Sequence, residues 1–141
     1  MNIESNASLQ PYNSLGFPAR SEKFFRAGSE QDLRDAIEQV RRNSLRLFIL
    51  GGGSNVVLTR DLPGIVLSVE TRGVERLEES TEHVVIRVAA GEDWPGLVRT
   101  CLRDELFGLE NLSDIPGTAG AAPIPNIGAY GAELCELLHS V

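Results

Sequence analysis

The chain has 141 residues, enough for about one domain, and its composition is ordinary for a globular protein, with 42% hydrophobic and 23% charged residues. The formal net charge is −7 and no basic stripe interleaved with aromatic residues appears, which argues against a nucleic-acid partner. No apolar run approaches the roughly 18 residues of a membrane span, and the polar N-terminus lacks a signal-peptide pattern. We therefore expect a cytoplasmic protein without a membrane partner.

The cysteines and histidines give no sign of a metal site. Cys101 and Cys135 are the two cysteines, and in a cytoplasmic protein we expect both to be reduced. His83 lies in a strand-like run and His139 lies near the end, and neither has the spacing of a metal ligand. We interpret both histidines as surface or strand residues and predict no bound metal.

The first part of the chain is predicted to contain little regular structure. Residues 1–20 are predicted to be irregular, because Pro11, Gly16 and Pro18 interrupt any period. A short strand is expected at residues 23–26.

A helix is predicted next, at residues 29–43. Ser29 and Asp32 form a capping pair at its start, while Arg41 and Arg42 suit the negative end of its dipole. The apolar residues that share one helix face are Leu33, Ala36, Ile37 and Val40. This face is expected to pack on a sheet.

Four strands and a second helix complete the regular elements. Strands are predicted at residues 45–50, 64–69 and 83–90, with a weaker one at 73–79 that pairs with 83–90. In the helix that follows, Pro95 fits the first turn. The helix face consists of Trp94, Leu97, Val98, Cys101 and Leu102, and we interpret Trp94 and Cys101 as core residues.

Residues 108–131, GLENLSDIPGTAGAAPIPNIGAYG, have a different character. Glycine and proline are too frequent here for a regular element, yet the segment is too apolar for a solvated linker. A long irregular segment of this kind is usually a functional loop. Beyond it, residues 135–141 resemble the start of a strand.

The three glycines at positions 51–53 directly follow a predicted strand, which suggests a loop that binds phosphate through backbone N–H groups. A Walker loop is excluded because its lysine is absent. A Rossmann turn is excluded because Val56 stands at its third glycine position, and because nine residues, NVVLTRDLP, leave no room for a crossover helix before the next strand. The glycine loop and the irregular segment at residues 108–131 could then hold one long ligand through neutral donors. Alternatively, both could be structural turns.

Several motifs, taken together, resemble those of the UDP-N-acetylenolpyruvoylglucosamine reductase family, whose members are also called UDP-N-acetylmuramate dehydrogenases. The stretches that carry the resemblance, in the same order and spacing, are NSLG (13–16), ILGGGSNVVL (49–58), AAGEDWPGLV (89–98) and GLENLSDIPGTAGAAPIPNIGAYGAE (108–133). The resemblance covers nearly the whole chain. The GGSN and NIGAYG elements together make it specific.

The resemblance implies an α+β fold of the vanillyl-alcohol-oxidase/PCMH type, in which FAD is held between two α+β subdomains. It also implies that NADPH gives a hydride to FAD, and that the reduced flavin reduces the enolpyruvyl double bond of a UDP-sugar to yield UDP-N-acetylmuramate, a peptidoglycan precursor. Relatives that bond flavin covalently commonly use histidine or cysteine, and neither occurs in residues 48–58 or 108–131. FAD is therefore expected to bind non-covalently.

Cofactor-binding residues are carried over position by position from the family. The resemblance implies that the diphosphate loop consists of Gly51, Gly52, Gly53, Ser54 and Asn55. The rest of the flavin site would be lined by Pro116, Gly117, Thr118, Gly120, Ala122, Asn126, Ile127, Gly128 and Tyr130. If the loop serves the ligand, Gly53→Val should weaken flavin binding far more than folding.

The chain departs from the family in two places. Pro125 replaces the glutamine of the family's PIQNIG, which removes a backbone N–H and an amide side chain, so the family contact there is not carried over. The family's active-site arginine, serine and glutamate lie beyond Val141, so no catalytic residue is assigned here.

We expect residues 1–63 to form the first FAD-binding subdomain, residues 64–141 to form an incomplete second one, and the substrate domain to be absent. The leading interpretation is the FAD-binding portion of a reductase whose partner is a small UDP-sugar. The alternatives are a non-catalytic FAD or diphosphate binder, such as a degenerate truncated protein, and a different flavin oxidase of the same fold.

Overall fold

The computed structural model describes residues 3–141, and the chain divides into two compact units, Met1–Thr71 and Arg72–Val141. The first unit contains strand β1 (Ile3–Ser8), strand β2 (Arg20–Ala27), helix α1 (Glu30–Arg42), strand β3 (Leu47–Leu50) and strand β4 (Leu62–Val69). The second unit contains strands β5 (Val74–Glu79) and β6 (Val84–Val88), helix α2 (Trp94–Arg103), and the short strands β7 (Gly128–Ala129) and β8 (Ala132–Glu133).

The first unit is built on one four-stranded sheet with the strand order β1-β2-β4-β3. Strand β1 is antiparallel to β2, whereas β2, β4 and β3 run parallel to one another. Parallel strands end at the same edge of a sheet. The segments after β2, β3 and β4 therefore leave from one carboxyl edge, and the glycines at positions 51–53 are among them.

Each face of this sheet carries its own core. Helix α1 covers one face, where Ala36 packs among a buried set that comprises Phe25, Ala27, Ile65 and Leu67. The other face buries Ala7, Leu9, Ala19, Phe24, Leu50, Leu58 and Val66. The predicted helix face is confirmed for Ala36, Leu33 and Val40, although Ile37 remains 40% exposed.

The predicted capping pair of α1 is confirmed. The Ser29 hydroxyl accepts a hydrogen bond from the Asp32 N–H, and the Asp32 carboxylate accepts one from the Ser29 N–H. Arg41 and Arg42 lie in the last turn, as predicted from the helix dipole.

The second unit combines two hairpins with α2. Strands β5 and β6 pair antiparallel, as predicted, and so do β7 and β8. Trp94 and Cys101 are confirmed as core residues, and the Trp94 Nε1–H donates to the Leu112 carbonyl oxygen at 2.8 Å. The rest of the buried cluster consists of Leu97, Val98, Leu112, Ala122 and Leu134.

Two predictions about local structure are wrong. Residues 1–20 are not irregular throughout, because they contain β1 and a 3-10 turn at Gln10–Tyr12. Four of the six residues of β1 are polar and three are exposed, so this edge strand has no apolar alternation that would reveal it. Residues 135–141 do not start a strand: Leu134–Glu136 form a 3-10 turn and the following residues are irregular.

The division between the units also differs from the expected one at residues 63 and 64. Strand β4 pairs with both β2 and β3, so it completes the first sheet, and the division falls after it, between Thr71 and Arg72. Within residues 3–141, no helix is long and apolar enough to cross a membrane. The same residues contain no group of three or more His, Cys, Asp or Glu side chains placed to hold a metal ion.

Candidate cofactor-binding site

The glycine loop, residues 51–55, directly follows β3 at the carboxyl edge of the parallel strands. Gly52, Ser54 and Asn55 are exposed, Gly51 is half-buried and Gly53 is buried. Ligands of parallel α/β sheets bind at this edge of the strands. A loop of short, exposed residues at this position leaves its backbone accessible to a ligand.

Gly53 is fixed by a contact within the protein. Its φ of +69° lies in the left-handed region, and a Cβ added there would stand 1.9 Å from the Tyr12 carbonyl oxygen. Such a separation is far inside van der Waals contact, so this position accepts no side chain. The expectation that Gly53→Val would weaken flavin binding far more than folding is therefore wrong.

The segment that contacts Gly53 is itself held by an asparagine. The buried Asn13 donates through Nδ2 to the Leu9 carbonyl oxygen at 2.8 Å and to the Phe17 carbonyl oxygen at 3.1 Å, while its Oδ1 accepts from the Phe17 N–H at 2.9 Å. The next residue, Ser14, donates from both its N–H and its hydroxyl to the Gly53 carbonyl oxygen. The NSLG motif thus braces the glycine loop from the side.

Arg26 brings a positive charge to the same sheet edge, and sequence reasoning missed it. In the sheet, Arg26 and Leu50 both pair with Ser68, so all three lie in one row that ends at the glycine loop. The guanidinium lies 5.5 Å from the centroid of the Tyr12 ring. Its pKa is raised, chiefly by its hydrogen bond to the Tyr12 hydroxyl. No spacing in the sequence links these residues, because they meet only through strand pairing.

In the second unit, residues 116–122 pack against the segment that enters α2. The Gly117 carbonyl oxygen accepts from the Trp94 N–H at 3.0 Å, and the Gly120 N–H donates to the Ala90 carbonyl oxygen at 2.9 Å. A Cβ added to Gly120 would lie 2.5 Å from the Cβ of Ala90, so the glycine permits this close approach. Thr118 forms an isolated bridge with Asp93.

Asn126 is committed to contacts inside the second unit. Its Oδ1 accepts from the Cys135 N–H at 2.9 Å, and its Nδ2 donates to Glu133 Oε2 at 2.9 Å. Its φ of 49° lies in the left-handed region, which asparagine tolerates better than most residues. The side chain therefore shapes the loop, and the place of Asn126 in the flavin site, which the resemblance implies, stays a prediction.

The β7–β8 hairpin presents Tyr130 at its tip. Tyr130 and Gly131 have φ values of 54° and 82°, the signs that a type I′ turn requires at both central positions. The Tyr130 side chain is 92% exposed. Ala122 and Ile127, by contrast, pack in or against the core of the second unit, and a hydrogen bond from the Ile127 N–H to the Ala122 carbonyl oxygen joins them.

An open groove of about 360 Å³ lies beside this hairpin, in the second unit. Its lining consists of Glu110, Asn111, Ser113, Asp114, Ile115, Ala129 and Tyr130. Two carboxylates make the groove a poor site for a diphosphate. Of the two regions, the glycine loop is the one that suits an anion.

The predicted site residues thus fall into two separate groups. Residues 51–55 lie together on one turn of the first unit, and Pro116, Gly117, Thr118, Gly120, Ala122, Asn126, Ile127, Gly128 and Tyr130 follow one another through the irregular segment of the second. The close approach at Gly120 and the exposure of Gly52, Ser54 and Asn55 fit a cofactor that is bound through main-chain groups.

Comparison with known proteins identifies the family. A family model described as an FAD binding domain matches residues 21–141. The chain belongs to this FAD binding domain family. The expected α+β FAD-binding fold and the expected FAD cofactor are thereby confirmed, and the match includes both groups of predicted site residues.

Individual relatives extend this result. The chain is 43% identical over 137 residues to the UDP-N-acetylenolpyruvoylglucosamine reductase of Pseudomonas fluorescens Pf-5, and 41% identical over 141 residues to that of Pseudomonas aeruginosa PAO1. These alignments cover 97% and 100% of the chain, but 40% and 42% of the relatives. The chain therefore spans about two fifths of the length of these curated relatives.

A solved structure of a reductase is also similar to this chain. The crystal structure of UDP-N-acetylenolpyruvylglucosamine reductase (MurB) from Thermus caldophilus superposes with a TM-score of 0.73 at 27% sequence identity. The superposition covers 95% of this chain and 46% of the other. The resemblance inferred from the motifs is confirmed by sequence and by structure.

Proposed function

We propose that the chain is the FAD-binding portion of a UDP-N-acetylenolpyruvoylglucosamine reductase. The whole protein would use NADPH to reduce UDP-N-acetylglucosamine enolpyruvate to UDP-N-acetylmuramate. The observation that carries this proposal is the similarity of about 40% identity along the entire chain to curated reductases. The glycine loop at the carboxyl edge of the parallel strands supports it independently.

In this proposal the first unit binds the diphosphate of FAD. Backbone N–H groups of Gly51, Gly52 and Gly53 and the polar groups of Ser54 and Asn55 supply the contacts. Neutral donors suit this role, since they bind an anion without needing a countercharge. Arg26 lies on the same sheet edge, but its charge is offset there by Glu70, whose Oε1 lies 3.6 Å from the Arg26 Nε, so we assign the anion contacts to the neutral donors.

The second unit would contact the cofactor through the irregular segment. We assign this role to Pro116, Gly117, Thr118, Gly120, Ala122, Ile127, Gly128 and Tyr130, with Asn126 as the residue that holds their loop in shape. Pro125 offers no backbone N–H, so we assign it no polar contact. When bound, FAD supplies the hydride transfer chemistry, while these residues bind and orient it.

The proposed reaction would serve cell-wall synthesis. The product is a peptidoglycan precursor, so loss of the protein would affect cell-wall synthesis and, through it, cell shape, the cell cycle and division. The partner would be a small UDP-sugar in the cytoplasm. Nucleic acid and membrane are not part of the proposal, and it makes no assignment of oligomeric state.

The reductase assignment is tested by NADPH oxidation. We expect the polypeptide made from the complete reading frame to oxidise NADPH only when UDP-N-acetylglucosamine enolpyruvate is present. The 141-residue chain is the matched control, and we expect no turnover from it, because enol ether reduction needs a placed proton donor and none is assigned among its residues. Turnover of an alcohol substrate instead would favour a different flavin oxidase.

A non-catalytic FAD binder remains the second candidate, because the chain spans only about 40% of its relatives' length. Binding of FAD by the complete polypeptide without any substrate-dependent NADPH oxidation would favour this candidate over the reductase.

A further inference from the structure

Ser14 makes two hydrogen bonds to one acceptor in the glycine loop. Its backbone N–H donates to the Gly53 carbonyl oxygen at 3.1 Å, and its hydroxyl donates to the same oxygen at 3.1 Å. Ser14 and Gly53 are 39 residues apart in the chain. A carbonyl oxygen has two lone pairs, so this pair of donors saturates it.

Saturating that oxygen fixes the orientation of a peptide group in the loop. The peptide that joins Gly53 to Ser54 is planar, so holding its carbonyl oxygen also sets the direction of the N–H on the opposite side. Glycine has more backbone freedom than any other residue, and three of them in a row make this loop costly to order. The two hydrogen bonds from Ser14 hold the third glycine, Gly53, and so remove much of that freedom.

The segment that contains Ser14 is itself held by hydrogen bonds. The Asn13 side chain is 7% exposed and bonds to Leu9 and Phe17, and the Gly16 N–H donates to the Asn13 carbonyl oxygen at 3.1 Å. On its other side, the Tyr12 carbonyl oxygen sits where a Cβ of Gly53 would be. Ser14 is therefore held in place before it acts on Gly53.

We propose that Ser14 is a positioning residue for the FAD diphosphate, one that orders residues 51–55 in their binding conformation before the cofactor arrives. The inference rests on the proposed function of the glycine loop. Its physical basis is that a loop ordered in advance does not lose conformational entropy on binding. Ser14 acts through Gly53 and need not contact FAD.

The test compares FAD affinity among variants of the 141-residue chain. Ser14→Ala removes the hydroxyl bond and keeps the backbone bond. Ser14→Thr and Ser14→Val form an isosteric pair in which only threonine keeps the hydroxyl. Ser80→Ala is the matched control, since the Ser80 hydroxyl also makes turn hydrogen bonds, to His83 and Glu82, but lies in the β5–β6 turn. Thermal unfolding without FAD accompanies each titration.

We expect Ser14→Ala and Ser14→Val to raise the dissociation constant for FAD about threefold to tenfold, the worth of one hydrogen bond. Ser14→Thr and Ser80→Ala should retain the affinity of the unsubstituted chain. Because the threonine and valine variants match in shape, their difference stands even if alanine loosens the fold. Equal FAD affinity for threonine and valine would overturn the proposal. If the unsubstituted chain binds no FAD, the proposed function itself fails.

Discussion

Gly53 shows why a glycine in an exposed loop can be required for folding. Its φ of +69° is close to the +66° of Gly16, but only Gly53 faces another backbone segment, at Tyr12. A side chain would therefore cost a similar conformational free energy at Gly16 and at Gly53. Only at Gly53 would it also clash with another backbone segment.

We predict that Gly53→Ala destabilises the chain much more than Gly16→Ala does. Both variants pay about 1 kcal/mol for an alanine in the left-handed region, whereas only Gly53→Ala adds a clash of a few kcal/mol with a backbone oxygen 1.9 Å away. Thermal unfolding without FAD measures the difference, expected to be at least about 4 °C. Equal unfolding temperatures would show that the loop relaxes freely around position 53.

At the residue scale, the sequence revealed the loop but not what holds it. The run of glycines after an apolar stretch predicted a turn that approaches a ligand. The tie between Ser14 and Gly53 and the row that contains Arg26 arise from tertiary contacts between distant segments. No local spacing encodes such contacts. The bonds of Asn126 to Glu133 and Cys135 depend on the same kind of fold information.

At the scale of elements, the capping box of α1 makes stability depend on pH. The Ser29 hydroxyl donates to Asp32 Oδ2 at 2.7 Å, and this bond is the largest cause that lowers the pKa of Asp32 below its usual value of 3.8. A carboxyl group whose pKa is lowered by folding stabilises the folded state above its unfolded pKa. That contribution is lost as the pH falls through the lower, folded value.

We therefore predict that Ser29→Ala lowers the urea midpoint of unfolding at neutral pH, and that its deficit narrows below about pH 4. Asp32→Asn is the companion variant, because it removes the titrating group while keeping a polar side chain. Its loss in the urea midpoint, relative to the unsubstituted chain, should also shrink below about pH 4. A deficit for either variant that is as large at pH 3 as at pH 7 would contradict the pKa argument.

The elements that sequence predicted well are those with a complete local signal. Helix α1 has apolar spacing, a capping pair and basic residues in its last turn, and each of these was found. Strand β1 has no such signal, because it is an exposed edge strand that is held by pairing to β2. The apolar residues near the C-terminus suggested a strand, but among residues 134–141 the chain makes only a 3-10 turn.

At the scale of the whole molecule, the chain consists of two units, and one FAD binding domain match, over residues 21–141, covers most of the first unit and all of the second. The compact units divide eight residues after the subdomain division expected at residues 63 and 64, and the pairing of β4 with β2 and β3 that sets this position is visible only in the sheet. The family could be predicted because its motifs are spread over both units. Comparison with the curated relatives shows that the chain spans about 40% of their length.

The central claim, that this chain binds FAD through its glycine loop, is tested most directly by FAD titration with two charge variants. Asn55→Asp is nearly isosteric and places a negative charge on the exposed loop, whereas Ser44→Asp adds the same charge before β3, at the opposite edge of the sheet. We predict saturable quenching of flavin fluorescence by the unsubstituted chain. Asn55→Asp should bind FAD at least about tenfold more weakly, because its charge repels the diphosphate, and Ser44→Asp should bind normally. Absence of quenching, or equal losses in both variants, would contradict the claim.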